Sequence, residues 1–360
     1  MMADLSDSSD RGALPNRILI IRLSAIGDIV FSSPLIDALK GAYQGADIFW
    51  LAESPVVPLL EHHPHLSGVI VWPRKEWREL LSSGRWLALL KEIVSFKRRL
   101  AQYRFDLAID AQGLFKSALL AWMTGAVRRV GFVSKEPTRA LLTEQIEKDA
   151  GPAISSEYRA MAKHLGCQSE PFPMAVSVPP AVRVWAEAFR GDTPYVVICP
   201  FTTRPQKHWP EVHWQALAKS LVARGWRVVV LGGPTDSESA ERIFVDIPVE
   251  SMVGKATLLE SAALVSRADL VIGVDTGLTH MGWAFEVPTL ALFGSTCPYR
   301  DLGGLRGAVL YKNMPCSPCR RKPVCGGTYD CLAELHPDSV LESLAGLVRD
   351  ELAPNSVVAS

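Results

Sequence analysis

The chemistry in this chain of 360 residues is concentrated in a few polar clusters that follow short apolar runs. Asp28 lies in RLSAIGDIV, directly after the run Ile18–Ile21. A carboxylate at a strand end can take a proton as a general base, or it can cap the helix that follows; the residue pattern leaves both open. In ADLVIGVDTGLTHMGWAFEVPTLALFG, residues Asp275, Thr276, Gly277, Thr279 and His280 crowd the start of a helix. Unpaired N–H groups at such a terminus attract anions. Thr202, Thr203, Arg204 and Lys207 follow another apolar run, where hydroxyls and a compact cation suit phosphate. Asp110, Gln112, Gly113 and Lys116 form a further polar group after FDLAI, and Gly232, Gly233 and Asp236 another after VVVL. Four cysteines, Cys316, Cys319, Cys325 and Cys331, fall within CSPCRRKPVCGGTYDC. They could chelate zinc, hold an iron–sulfur cluster, or stay as reduced thiols, with His336 as a substitute ligand.

Strands and helices in alternation must position these groups. RILII, ADIFWLAES, SGVIVWP and FDLAID read as buried strands, each followed by a turn or helix, and the pattern resumes with YVVIC, RVVVL, DLVIG and TLALF. Such alternation predicts α/β architecture with parallel, doubly wound sheets and ligands at the strand ends. The three-glycine dinucleotide pattern is absent after RILII. Pro171, Pro173, Pro179 and Pro180 mark a stiff segment of the kind that joins two domains. The expected organisation is a loose tail over 1–16, a first domain over 17–175, and a second over 176–350 that includes the cysteine-rich segment 316–331.

Composition limits the partners. With 38 basic and 38 acidic residues the chain has no overall charge that would attract nucleic acid. No early apolar run is long enough for a signal or a span, which predicts a cytoplasmic protein. Locally, residues 74–104 carry nine basic side chains against three acidic ones, interleaved with Trp77, Trp86 and Phe96. That segment, with Arg74, Lys75 and Arg78 at its start, suits an anionic membrane surface or an anionic acceptor, or a plain solvated amphipathic helix.

Taken in order and spacing, RLSAIGDIV, DAQGLFKS, TTRPQKHWPE and GVDTGLTHMGWAFEVPTLALFG resemble the ADP-heptose:lipopolysaccharide heptosyltransferases of glycosyltransferase family 9, and most closely the type that adds the first heptose. The resemblance implies a GT-B fold, two Rossmann-like domains facing a central cleft, with acceptor on the first and ADP-sugar on the second. It implies Asp28 as the general base and inversion at the anomeric carbon. Donor contacts would come from Thr202, Thr203, Lys207, Asp236, Asp275, Thr276, Gly277 and His280, with Lys207 offsetting charge on the departing ADP. Acceptor contacts would come from Ser24, Gly27, Arg74, Lys75, Arg78, Gln112 and Lys116.

The expected reaction moves L-glycero-D-manno-heptose from ADP-heptose to a Kdo sugar of Kdo-lipid A, at the cytoplasmic face of the inner membrane. No Asp-x-Asp pair occurs in the chain, so catalysis is expected without a required metal. A structural zinc or iron–sulfur cluster at the cysteines is a separate expectation. Transfer onto a core heptose, as in the second type, a GT-B nucleotide-sugar epimerase, and a two-domain solute-binding protein are the alternatives.

Overall fold

The computed structural model describes residues 14–347 except 169, 297 and 321. Positions 1–13 of the expected tail and 348–350 of the second domain lie outside the described residues.

The first domain is a six-stranded parallel sheet of β1 (Arg17–Ile21), β2 (Asp47–Glu53), β3 (Gly68–Trp72), β4 (Leu107–Asp110), β5 (Arg128–Phe132) and β6 (Glu144–Ile146). Its spatial order is β3-β2-β1-β4-β5-β6. The helices are α1 (Ile26–Ser32), α2 (Pro34–Ala42), α3 (Arg74–Ser82), α4 (Trp86–Gln102), α5 (Phe115–Met123) and α6 (Ser156–His164). The second domain begins with α7 (Pro180–Arg190). Its sheet is built from β7 (Tyr195–Cys199), β8 (Arg227–Val230), β9 (Glu250–Ser251), β10 (Leu270–Val274), β11 (Thr289–Phe293) and β12 (Gly307–Tyr311), in the order β12-β11-β10-β7-β8-β9. The helices α8 (Glu211–Ala223), α9 (Ser237–Ile243), α10 (Leu258–Arg267), α11 (Gly277–Ala284), α12 (Asp330–Ala333) and α13 (Pro337–Ala345) accompany it. Counted from its own first strand, the second sheet repeats the order of the first.

Central parallel strands are covered on both faces, which is why they read as unbroken apolar runs. Ile18–Ile21 of β1 and all five residues of β7, β10 and β11 are buried. Local signals set several helix starts. Thr257 caps α10 by accepting the Glu260 amide at 3.2 Å while the Glu260 carboxylate accepts the Thr257 amide at 2.7 Å. That reciprocal pair is worth about 1 kcal/mol. Pro179 and Pro180 start α7, with proline at the first helical position where no amide is needed.

The order of each sheet reverses between its first and fourth strands, β1 and β4 in one and β7 and β10 in the other. Ligand crevices form outside the carboxyl ends of strands at such switch points. The two crevices face each other. Helix α1 packs on α11 across the gap, and the Ile154 amide donates to the Asp301 carbonyl at 2.8 Å from one domain to the other. Residues 171–179 hold no helix or strand. They run between α6, packed on α2, and α7, packed on α10.

The basic segment folds as the pair α3 and α4, and its aromatic residues divide. Trp77 sits 6.0 Å from Trp72 and 5.6 Å from Phe96 on the inner side, whereas Trp86 is exposed. Among the described residues no helix is long and apolar enough to cross a membrane.

Candidate active site at the interdomain cleft

Asp28 takes the capping role that its position suggested and keeps part of its carboxylate open. It lies in the first turn of α1, where Oδ2 accepts the Ala25 amide at 3.3 Å and pairs with the Arg22 guanidinium. Both contacts use the same oxygen, and the side chain remains 46% exposed to the cleft. Arg22, directly after β1, is buried and also donates to the Ala111 carbonyl at 3.0 Å. Burial works against its charge, but neighbouring Tyr158, Asp28 and Glu157 outweigh that and hold its pKa above the ordinary arginine value. The Gln112 side-chain oxygen accepts the Leu23 amide at 3.0 Å, so this residue fastens the loop that carries Asp28. Asp110 is likewise internal: Oδ1 accepts the Gln112 and Gly113 amides at 3.0 Å each, and burial pushes its carboxyl up.

Three residues that sequence reasoning passed over surround this group. Tyr299 of the second domain donates to Glu157 of the first at 2.9 Å. Burial raises the Glu157 carboxyl and lowers the Lys148 ammonium, and both act electrostatically on Arg22 or on each other.

On the opposite wall of the cleft, Asp275 is the centre. Its Oδ1 accepts His280 Nε2–H at 2.9 Å, and Oδ2 accepts the Thr296 hydroxyl at 2.5 Å and pairs with Lys207. Burial alone would push this carboxyl up; the His280 ring and the Lys207 ammonium outweigh it and hold it well below the usual carboxylate range. His280 is buried against Phe31, with ring centroids 4.5 Å apart, and its Nδ1 lacks a hydrogen-bond partner among the described residues. Thr276 and Gly277 begin α11 beside it. Thr202 uses its carbonyl to hold His208 Nε2 at 2.8 Å, while the Thr203 side chain is exposed.

Only glycine permits the close approach of α1 and α11. A Cβ on Gly277 would collide with Ile26 and come within 3.0 Å of the Gly27 amide nitrogen, and one on Gly27 would lie 2.6 Å from His280 Cδ2. Gly27, expected at the acceptor from the sequence, lies against α11, where donor contacts were expected.

The predicted acceptor residues separate. Arg74 donates to both oxygens of Glu53 at 2.9 Å, and Lys116 Nζ is 3.8 Å from the same carboxylate. Burial and the Arg74 charge lower the Lys116 ammonium, opposed by Glu53. Ser24 lies in the partly exposed loop before α1. Lys75 and Arg78 are exposed on α3, with Lys75 4.0 Å from Glu79 one turn along; these two are not gathered with the rest.

Asp236 accepts the Gly233 amide at 2.8 Å and lines a separate cavity of about 440 Å³ with Phe201, His208 and Trp209. The four cysteines are free thiols, graded from exposed Cys316 to buried Cys331. No three of their sulfurs lie within 4.8 Å of one another. Cys319 and Cys331 are each raised by burial and then by the other thiols, and backbone amides of Tyr329 and Gly327 lower Cys325.

Arg22, Glu53, Lys148, Glu157, Thr296 and Tyr299 are therefore the site residues missed from sequence. Arg22 and Glu53 did carry a signal, a charged residue at the end of a buried strand.

Two Rossmann-ordered domains facing each other across a cleft, with a half-exposed carboxylate on one wall and a lysine beside a helix N-terminus on the other, have the GT-B architecture. The family model of glycosyltransferase family 9 (heptosyltransferase) matches residues 93–329, and the chain belongs to that family. It is 30% identical to lipopolysaccharide heptosyltransferase 1 of Pseudomonas aeruginosa, over 85% of this chain and 86% of the relative. With lipopolysaccharide heptosyltransferase 2 of Salmonella typhimurium it shares 26% identity, over 93% and 99% of the two chains. The solved E. coli heptosyltransferase WaaC with ADP-2-deoxy-2-fluoro heptose superimposes with a TM-score of 0.69 at 25% identity, covering 92% of this chain and 99% of that one. Family membership sets aside the epimerase and the solute-binding protein.

Proposed function

We propose that this glycosyltransferase moves L-glycero-D-manno-heptose from ADP-heptose to Kdo of Kdo-lipid A, with Asp28 as general base. The observation that carries the proposal is the half-exposed Asp28 carboxylate on α1, in direct packing contact with the α11 helix of Asp275 and His280. The donor assignment is supported by the ADP-heptose analogue named with the E. coli neighbour, and the first-heptose assignment by the 30% identity to a type 1 enzyme.

The acceptor hydroxyl gives its proton to Asp28 as its oxygen bonds to the anomeric carbon. The bond from that carbon to the ADP oxygen breaks with inversion, and ADP leaves with the electron pair. Lys207 and the α11 amides offset the charge gathering on it. Asp275 is then available to the sugar hydroxyls. Thr202 and Thr203 border the phosphates, and Lys116 with Arg74 meets the acceptor.

The acceptor lies in a membrane, and α4 offers a face for it. Trp86, Leu87 and Leu90 are 63%, 87% and 59% exposed, and Lys91, Lys97 and Arg98 share the helix. Exposed apolar side chains amid basic ones suit an anionic leaflet from the cytoplasmic side.

ADP release from ADP-heptose, measured with Kdo-lipid A in anionic vesicles, tests both points. Release is expected only with acceptor, and a Leu87→Glu/Leu90→Glu protein should lose it on vesicles while matching the parent on a soluble Kdo acceptor. Activity solely on a heptose-bearing acceptor would replace this reading by second-heptose transfer.

The cysteine segment is proposed to hold a structural zinc or an iron–sulfur cluster. Its support is the gathering of Cys316, Cys319, Cys325 and Cys331 in the short segment CSPCRRKPVCGGTYDC. Ligation would draw the sulfurs together, since zinc–sulfur bonds are about 2.3 Å. Metal analysis of anaerobically purified protein should find bound metal, lost on replacing Cys319 and Cys325 by Ser; a metal-free preparation with full activity and stability rejects the idea.

A further inference from the structure

Away from the cleft, Asp37 in the first turn of α2 meets the loop His62-His63-Pro64-His65, which follows a short 3-10 turn over Ser54–Leu59. Among the described residues this is the one place where three histidine, cysteine or acidic ligand atoms lie within 4.8 Å of one another. His65 Nδ1 is 2.7 Å from Asp37 Oδ1, and His63 Nε2 is 3.8 Å from the same oxygen. The first contact is an ordinary hydrogen bond that pins the loop to the helix. The second is too long to be one. A buried imidazole, 6% exposed, is thus aimed at a carboxylate oxygen that another imidazole already holds.

We propose that Asp37, His63 and His65 form a binding site for a divalent transition metal of the Zn²⁺ class. Two imidazoles and one carboxylate, with no thiolate, are donors for zinc, nickel or cobalt, whereas magnesium and calcium call for oxygen alone. Ligands about 2.0–2.1 Å from a tetrahedral zinc lie roughly 3.3 Å apart, within the span these three atoms already cover. A cation replaces the protons that now face Asp37. Ligation through His63 Nε2 moves the remaining ring proton to Nδ1, and the 3.3 Å contact from the His65 amide gives way. The Asp37 and His65 side chains, 40% and 48% exposed, leave the outer coordination position to water.

The location gives such an ion a structural consequence. His62 and Pro64 of the same loop line a cavity of about 450 Å³ with Val176 of the interdomain connection and Arg267 and Phe285 of the second domain. Metal bound to the loop would stiffen the first domain where it meets that connection, without touching Asp28 or Lys207.

Zn²⁺ binding to the full chain, followed by calorimetry, decides the matter when the parent is compared with His65→Gln and Asp37→Asn. Both replaced side chains are well exposed, so the variants should fold, and the cysteines are the same in all three proteins. Each variant should bind one zinc equivalent fewer, or bind that equivalent weaker by at least the roughly 10–100-fold that even outer-shell changes cost. Zinc should also raise the melting temperature of the parent more than that of either variant. Equal stoichiometry and affinity in all three proteins would overturn the site, and so would Mg²⁺ binding at it as tightly as Zn²⁺.

Discussion

An Asp28→Asn protein is expected to transfer sugar about 10²–10⁴-fold more slowly than the parent, the range a positioned general base contributes. The amide keeps the size and hydrogen-bonding capacity at Oδ2 but cannot take the acceptor proton. Donor affinity should stay within about twofold, since the lost basicity matters only as the hydroxyl oxygen attacks. Stability should fall as well, because Arg22 is buried and loses its counter-charge. With Asp28 half in solvent, that cost lies between the ~1 kcal/mol of a surface pair and the ~3–5 kcal/mol of a broken buried one. Single-turnover transfer and ADP calorimetry on the same preparation separate the two effects. Wild-type turnover in the folded variant removes Asp28 from the chemistry.

Lys207→Met should cut turnover by about 10²–10³, the loss typical of removing one preorganised group aimed at developing charge. The change also strips Asp275 of its ion pair, leaving His280 and Thr296 as partners. A carboxyl held low in the folded state contributes stability above its unfolded pKa of about 3.9, and that stability is lost as pH falls through the folded value. Because Lys207 helps to hold Asp275 low, acid melting curves of the variant should depend less on pH in the range below about 4. Unchanged turnover would show that departing ADP does not rely on this lysine, and an unchanged acid profile that the ion pair does not stabilise the fold.

Most of the architecture was legible because parallel strands buried on both faces announce themselves as apolar runs, and the loops after β1, β7 and β10 carry their polar residues within a few positions. What escaped depends on long-range contact. Glu157 and Tyr299 are 142 residues apart and meet only because the domains face each other. Glu53 gathers Arg74 and Lys116 from separate elements, so neither cation's partner could be read locally. Gln112 looked like a ligand-facing amide, yet its oxygen is spent on the Leu23 backbone. The aromatic residues of the basic segment were read only as interleaved with its charges, and the packing of α3 on α4 decides that Trp77 turns inward and Trp86 outward.

The pairing of charges along the cleft has a kinetic meaning. Arg22 is matched by Asp28, Arg74 and Lys116 by Glu53, and Lys207 by Asp275. These four cations of the cleft are already paired from within, in a chain whose net charge is zero. Long-range attraction from these four therefore adds little to the capture of an anionic ligand in the cleft. Phosphate recognition becomes an exchange of partners at contact distance, selective for groups that can displace a carboxylate and only weakly dependent on ionic strength.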